Sequence, residues 1–150
     1  MKKIFLILIL IFTFSFNAFS QASSLENVRI RIFSDKNIEE VLFIPSFGSY
    51  FLETEKGEKV KLNRTSKVKI TDLDGQVEIK INDTIFQKTK KITLTASGLK
   101  SFFQIKPIKP QIAERRYEDC LEISSKNKSL FIINVVKTDN YIAGVVQSET

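Results

Sequence analysis

The residues of this chain best placed to do chemistry are its last thirteen, Thr138-Asp139-Asn140-Tyr141-Ile142-Ala143-Gly144-Val145-Val146-Gln147-Ser148-Glu149-Thr150. The preceding run, Ser129-Leu-Phe-Ile-Ile-Asn134-Val-Val136, is extended and apolar, so the segment reads as a buried strand feeding a short helix. Thr138 or Asp139 supplies an N-cap oxygen. Ile142, Val145, Val146 and Glu149 then fall at i, i+3, i+4 and i+7, on one helical face. A carboxylate ending an apolar stripe is drawn toward low dielectric, and burial favours its protonated form. A carboxylic acid that keeps its proton at neutral pH can act as general acid on a glycosidic oxygen. Against this stands the ordinary fate of a glutamate in the last turn of a helix, a solvated surface. Gly144 favours the special reading: an interior helix glycine costs about 1 kcal/mol relative to alanine, which suggests close approach by another element or by a ligand.

The order Ile133-Asn134-Val-Val136, Asp139-x-Tyr141-x-x-Gly144-Val145-Val146-x-Ser148-Glu149 resembles stage II sporulation protein D and its relatives, which include the amidase enhancers of bacterial autolysin systems. Arg115-Arg116-Tyr117 also fits, as a basic–aromatic pair opening the strand before the motif. The likeness covers roughly residues 115–150. It implies an exported cell-wall protein acting as a lytic transglycosylase on peptidoglycan glycan strands that have lost their stem peptides. Glu149 is then the catalytic acid/base, with Ser148 and Tyr141 as supporting substrate contacts, although packing is the simpler role for Tyr141. A non-catalytic peptidoglycan-binding module that stimulates a cell-wall amidase is the alternative within the same resemblance. Family domains continue past this glutamate, through a helix with an aromatic–Lys–Ala pattern and an Arg-Thr-Tyr-like segment. The expectation is therefore that residues 1–150 are the front of a longer protein, with the cleft incomplete and the piece inactive by itself.

The amino terminus reads as an export signal. Lys2 and Lys3 precede an apolar block, Ile4 to Phe16, of thirteen residues, within the usual signal-peptide range and short of the roughly 20 that span a bilayer as a helix. Ala18 and Ser20 suit a cut before Gln21. The expected mature protein is extracytoplasmic, in periplasm or cell wall, with no stable membrane span.

Composition excludes several chemistries. There is one cysteine, Cys120, and no histidine, so Cys/His zinc sites and histidine-based nucleophilic triads have no ligands or base here. No metal or other cofactor is expected, and Cys120 reads as a small structural residue with no base to activate it. Lys and Arg number 23 against 17 Asp and Glu, a net charge of +6 that falls to +4 without Lys2 and Lys3. The basic residues are dispersed, as in Lys67-Val68-Lys69-Ile70, and so describe the wet faces of strands. Nucleic-acid binding needs a clustered stripe with interleaved aromatics and is not expected. A weak attraction to an anionic envelope is compatible with this charge.

These residues need a scaffold, and the middle of the chain reads as antiparallel β structure, a sandwich or barrel. Val28–Phe33, Val77–Ile81, Ile92–Ala96 and Leu121–Ile123 alternate with period two. Asp74-Gly75, Asn82-Asp83, Ser97-Gly98 and Asn127-Lys128 mark turns. Pro107 and Pro110 form a stiff connector. The expected organisation is a signal at 1–20, a β module at 21–106 and the start of a peptidoglycan-acting domain at 107–150. Phe43, Phe47, Phe51, Phe102, Phe103 and Phe131 are expected to build cores, with one of the adjacent pair Phe102-Phe103 facing out. Tyr50, Phe51 and Tyr117 are alternatives for a sugar-stacking platform.

Overall fold

The computed structural model describes residues 27–98 and 100–148, with the side chains of Gln147 and Ser148 excepted. The export signal and Glu149 lie outside the described residues.

Twelve strands precede one helix: β1 (Asn27–Arg31), β2 (Glu40–Phe47), β3 (Tyr50–Thr54), β4 (Lys59–Leu62), β5 (Val68–Leu73), β6 (Gln76–Ile81), β7 (Thr84–Thr89), β8 (Lys91–Ala96), β9 (Phe102–Lys109), β10 (Arg115–Glu118), β11 (Cys120–Lys126), β12 (Ser129–Lys137) and α1 (Thr138–Ser148). The strands form two six-stranded sheets, ordered β1-β12-β11-β8-β3-β4 and β10-β9-β2-β5-β6-β7. All pairings are antiparallel. The architecture is an open sandwich, not a closed barrel.

Local chemistry explains the hairpins. Asp74-Gly75, Asn82-Asp83 and Asn127-Lys128 each have positive φ at both residues, as a two-residue type I′ turn matched to strand twist requires. Period-two alternation then sends one set of side chains inward. Val41, Phe43, Val68, Ile70, Val77, Ile79, Phe103 and Ile105 of one sheet meet Tyr50, Leu52, Leu94, Leu121 and Ile123 of the other, all fully buried. Each such side chain contributes roughly 1.5–3 kcal/mol by leaving water.

An aromatic column runs through this core. Phe43 stacks on Phe103 at 5.1 Å, and the Tyr50 ring meets both edge-on at 5.3 and 5.6 Å. Phe103 in turn stacks on Tyr117 at 5.8 Å. Tyr50 is thus a core residue and not a platform.

Phenylalanine departs from expectation elsewhere. Phe43 and Phe103 are buried and Phe102 faces out, as expected of one member of the adjacent pair, but Phe47 is 45% exposed, and Phe51 and Phe131 are only partly covered. These four lie on outer sheet faces, where long cationic side chains shield them. Arg64 lies over Phe47, Lys59 over Phe51, Arg116 over Phe102 and Arg31 over Phe131, at 4.2–5.0 Å. A basic residue neighbouring an outward ring covers it with its aliphatic stem and a cation–π contact, so the ring need not enter the core.

Pro107 lies within β9, pairing with Val41. Strands from both sides of residue 106 pair within each sheet and share one hydrophobic core.

Candidate functional site

The candidate site forms where the chain changes sheets. Arg115–Glu118 does not open the strand before the motif: it is β10, the edge strand beside β9 in the second sheet. One residue later β11 begins in the first sheet, paired with β12 and β8. Asp119 makes the switch with φ 64°, a left-handed conformation that Asp tolerates better than most residues.

Two side chains hold this junction. Asn134, buried on β12, donates both Nδ2 hydrogens, to the Glu118 carbonyl at 2.9 Å and the Cys120 carbonyl at 2.8 Å. It thereby bridges the carbonyls on either side of Asp119 and satisfies its own buried amide, which would otherwise be a costly orphan. Asp119 Oδ2 accepts from the Lys137 backbone N–H at 3.0 Å and from Asn140 Nδ2 at 3.1 Å. A carboxylate is thus fixed at the start of α1, where the exposed N–H groups and the helix dipole favour negative charge. In the sequence Asp119 leaves only one trace, the acidic pair Glu118-Asp119 that breaks the alternation between Tyr117 and Leu121.

β12 runs without interruption into α1, the strand-to-helix layout expected from the sequence. The helix does not bury the expected stripe. Ile142, Val145 and Val146 are 54%, 44% and 59% exposed. Asp119 ties down the first turn of α1.

Between α1 and β10 lies an open groove of about 660 Å³. Lys100 and Phe102 form its floor at the head of β9, and Arg116, Tyr117 and Glu118 form one wall. Asn140, Tyr141 and Gly144 of α1 form the other. Tyr141, 41% exposed, lines the groove. Ser148 ends α1. At Gly144 an added Cβ would meet no atom within 4 Å, so no neighbouring protein element explains this glycine. Tyr117 faces the groove with its ring partly buried against Phe103, and Phe51 lies on the outer face of β3.

Glu118 is the electrostatic oddity of the groove. Burial, and next the adjacent Asp119 carboxylate, push its pKa above the usual glutamate range, against the pull of Lys100 and Arg116. No ion pair within 4 Å engages Glu118, Lys100 or Arg116 among the described residues. Burial also raises the Tyr117 phenol, with Arg115 opposing.

Cys120 is a free, partly buried thiol facing away from Leu121 and Ile123. Among the described residues no three Cys, Asp or Glu side chains converge as a metal would need. No described helix is long and apolar enough to cross a membrane. No protein-family description, curated protein or solved structure matches the chain.

Proposed function

We propose that this chain belongs to an exported bacterial cell-wall protein with lytic transglycosylase-like activity on peptidoglycan strands stripped of their stem peptides. The observation that carries the reading is the junction itself. The strand and helix of the motif are contiguous, and the helix presents Asn140, Tyr141 and Gly144 to an open groove of about 660 Å³. Gly144, with open space where its side chain would stand, suits close approach of a ligand to the helix.

In this mechanism Glu149 gives its proton to the glycosidic oxygen between N-acetylmuramic acid and N-acetylglucosamine. As carboxylate it then takes the proton of the muramic 6-hydroxyl, whose oxygen attacks the anomeric carbon of the same sugar. The product ends in a 1,6-anhydro ring. No water is consumed, so the second carboxylate of ordinary glycoside hydrolysis has no task. One group serves as acid and then base, which requires its pKa to lie near the working pH.

The test is to incubate the complete gene product with stem-peptide-free glycan and to analyse the fragments by mass spectrometry. Anhydro-muramyl ends are expected, and Glu149→Gln is expected to abolish them without loss of fold. Fragments carrying an added water would replace this mechanism with hydrolysis.

The second reading is a peptidoglycan-binding module that enhances a cell-wall amidase. The open groove, lined by Tyr117 and Tyr141, favours it, because such a surface can hold a glycan without any acid. Sedimentation with sacculi, no fragments, and faster release of stem peptides by an added amidase would select this alternative.

A further inference from the structure

We infer that the outer face of the first sheet is a docking surface for an anionic lipid bilayer, on which the protein rests by charge and without insertion. The inference is independent of the glycan chemistry and concerns another part of the molecule, the side of β1, β12, β11, β8, β3 and β4 that faces away from the core. Along the chain the basic residues are dispersed, but strand alternation and register gather them. Arg29 and Arg31 stand on one margin, on β1, and Lys59 and Lys61 on the other, on β4. Lys91, Lys126 and Lys137 lie between them. One row reads Arg31, Ile133, Glu122, Thr93, Glu53, Lys59 straight across the sheet.

Charge complementarity points to this partner. The strands place seven cations on the face against two acids, Glu53 and Glu122, a charge of +5. The whole chain without Lys2 and Lys3 carries +4, so the rest of it is net negative. Glu122 is shared by Arg29 and Lys91, and Glu53 pairs with Lys59. Arg31, Lys61, Lys126 and Lys137 are exposed and have no carboxylate within 4 Å among the described residues. The phosphate headgroups of an anionic bilayer attract basic side chains held near them in this way.

The distribution argues against other partners. A protein interface is expected to bury an apolar centre, and among the described residues this face has none to offer. The well-exposed large apolar side chains outside α1, Phe47, Leu73, Ile85 and Ile108, all belong to the second sheet. The outward rings of the first are covered, Phe51 by Lys59 and Phe131 by Arg31 and Lys126. A second copy of the chain would set like charge against like. A single polyanionic chain is held in a basic groove that follows its backbone. Here the basic margins are five strand spacings apart, roughly 24 Å, so the charge is spread over an area, as anionic headgroups are. Without apolar anchors the contact is electrostatic and sensitive to salt.

The test is sedimentation of the complete protein with phosphatidylcholine vesicles, plain or with a third of the lipid replaced by phosphatidylglycerol. Retention is expected only on the anionic vesicles, falling more than about ten-fold as salt rises from about 50 to about 500 mM. Lys61→Gln with Lys126→Gln is expected to weaken it about 25-fold, or about five-fold for each cation, while Lys61→Arg with Lys126→Arg retains it. Lys88→Gln with Lys106→Gln removes the same charge from the second sheet and is expected to change binding less than about two-fold. All four side chains are exposed, and a thermal melt verifies that the variants fold. Equal loss in the two glutamine pairs overturns the inference, since net charge and not this face would then carry binding. So does equal retention with and without anionic lipid, or tighter binding to soluble polyphosphate, which would make a linear anion the ligand. Each of these outcomes leaves the glycan reading standing.

Discussion

Replacing Glu122 by glutamine is expected to destabilise the protein at neutral pH and to do nothing in strong acid. Glu122 on β11 takes a bidentate pair from Arg29 on β1 at 2.8 and 2.9 Å, reaching across the intervening β12, and a third bond from Lys91 on β8 at 2.6 Å. One carboxylate therefore clamps the edge strand β1 to a sheet interior two strands away. The Arg29 hydrogen bonds, opposed by desolvation and reinforced by Lys91, hold its pKa down at about 2 against an ordinary 4.5. A depressed carboxylate pKa stabilises the fold above the unfolded value and loses that contribution as pH falls from about 4.5 to about 2. At 1.36 kcal/mol per unit the shift sets a ceiling of about 3 kcal/mol. Arg29 and Lys91 are 53% and 48% exposed, so solvent screening reduces the expected loss to about 1–2 kcal/mol. Urea unfolding of the native chain and of Glu122→Gln at pH 7, 5, 3 and 2 measures it. The gap is expected to be flat from pH 7 to 5 and to close toward pH 2. A gap that persists unchanged at pH 2 would show that lost packing or hydrogen bonding, and not charge, carries the effect; no gap at pH 7 would refute the clamp altogether.

Three further outcomes are expected. Tyr50→Phe is neutral or stabilising by up to about 1 kcal/mol in the same unfolding assay, because the buried Tyr50 hydroxyl has no hydrogen-bond partner and its removal relieves an unsatisfied polar group; a loss above about 1 kcal/mol would reveal a hidden partner. Gly144→Ala raises the melting temperature, since alanine gains up to about 1 kcal/mol in a helix and meets no atom within 4 Å, yet it weakens glycan binding by narrowing the groove; unchanged binding would move the ligand elsewhere. Affinity for stem-peptide-free glycan, which carries ionised muramic carboxylates, falls as pH rises through the elevated pKa of Glu118, because its ionised form repels the ligand despite Lys100 and Arg116; Glu118→Gln is expected to flatten that profile, and an unaltered slope in the titration would exclude Glu118 as its source.

Much of the sandwich was legible because its cause is local. Alternation in Val77–Ile81 and Ile92–Ala96 states which faces are wet, and Asp74-Gly75 and Asn127-Lys128 carry the left-handed backbone that a tight hairpin needs. The pairing of β1 with β12 or β3 with β8 joins residues far apart in the chain, and no local pattern encodes it. Ring placement escaped for a related reason. Phe43 and Phe47 differ only in which strand face they occupy and whether an arginine on another segment comes to cover them. The helix stripe of Ile142, Val145 and Val146 is legible as periodicity, but burial depends on the tertiary surroundings, and the three remain 54%, 44% and 59% exposed. Tyr141 was singled out from the motif; Arg116 was seen only as part of the basic–aromatic opening, and Lys100, Phe102 and Glu118 converge on it only because of the sheet change at Asp119.

That sheet change also sets how the recess responds to load. One wall is hydrogen-bonded into the second sheet through β9, and the other hangs from β12 in the first. Displacing the β10 wall would mean sliding one half of the sandwich past the other, against a close-packed interior. That side of the cavity should therefore act as a stiff mould, keeping contact energy that a pliable surface would lose in ordering itself.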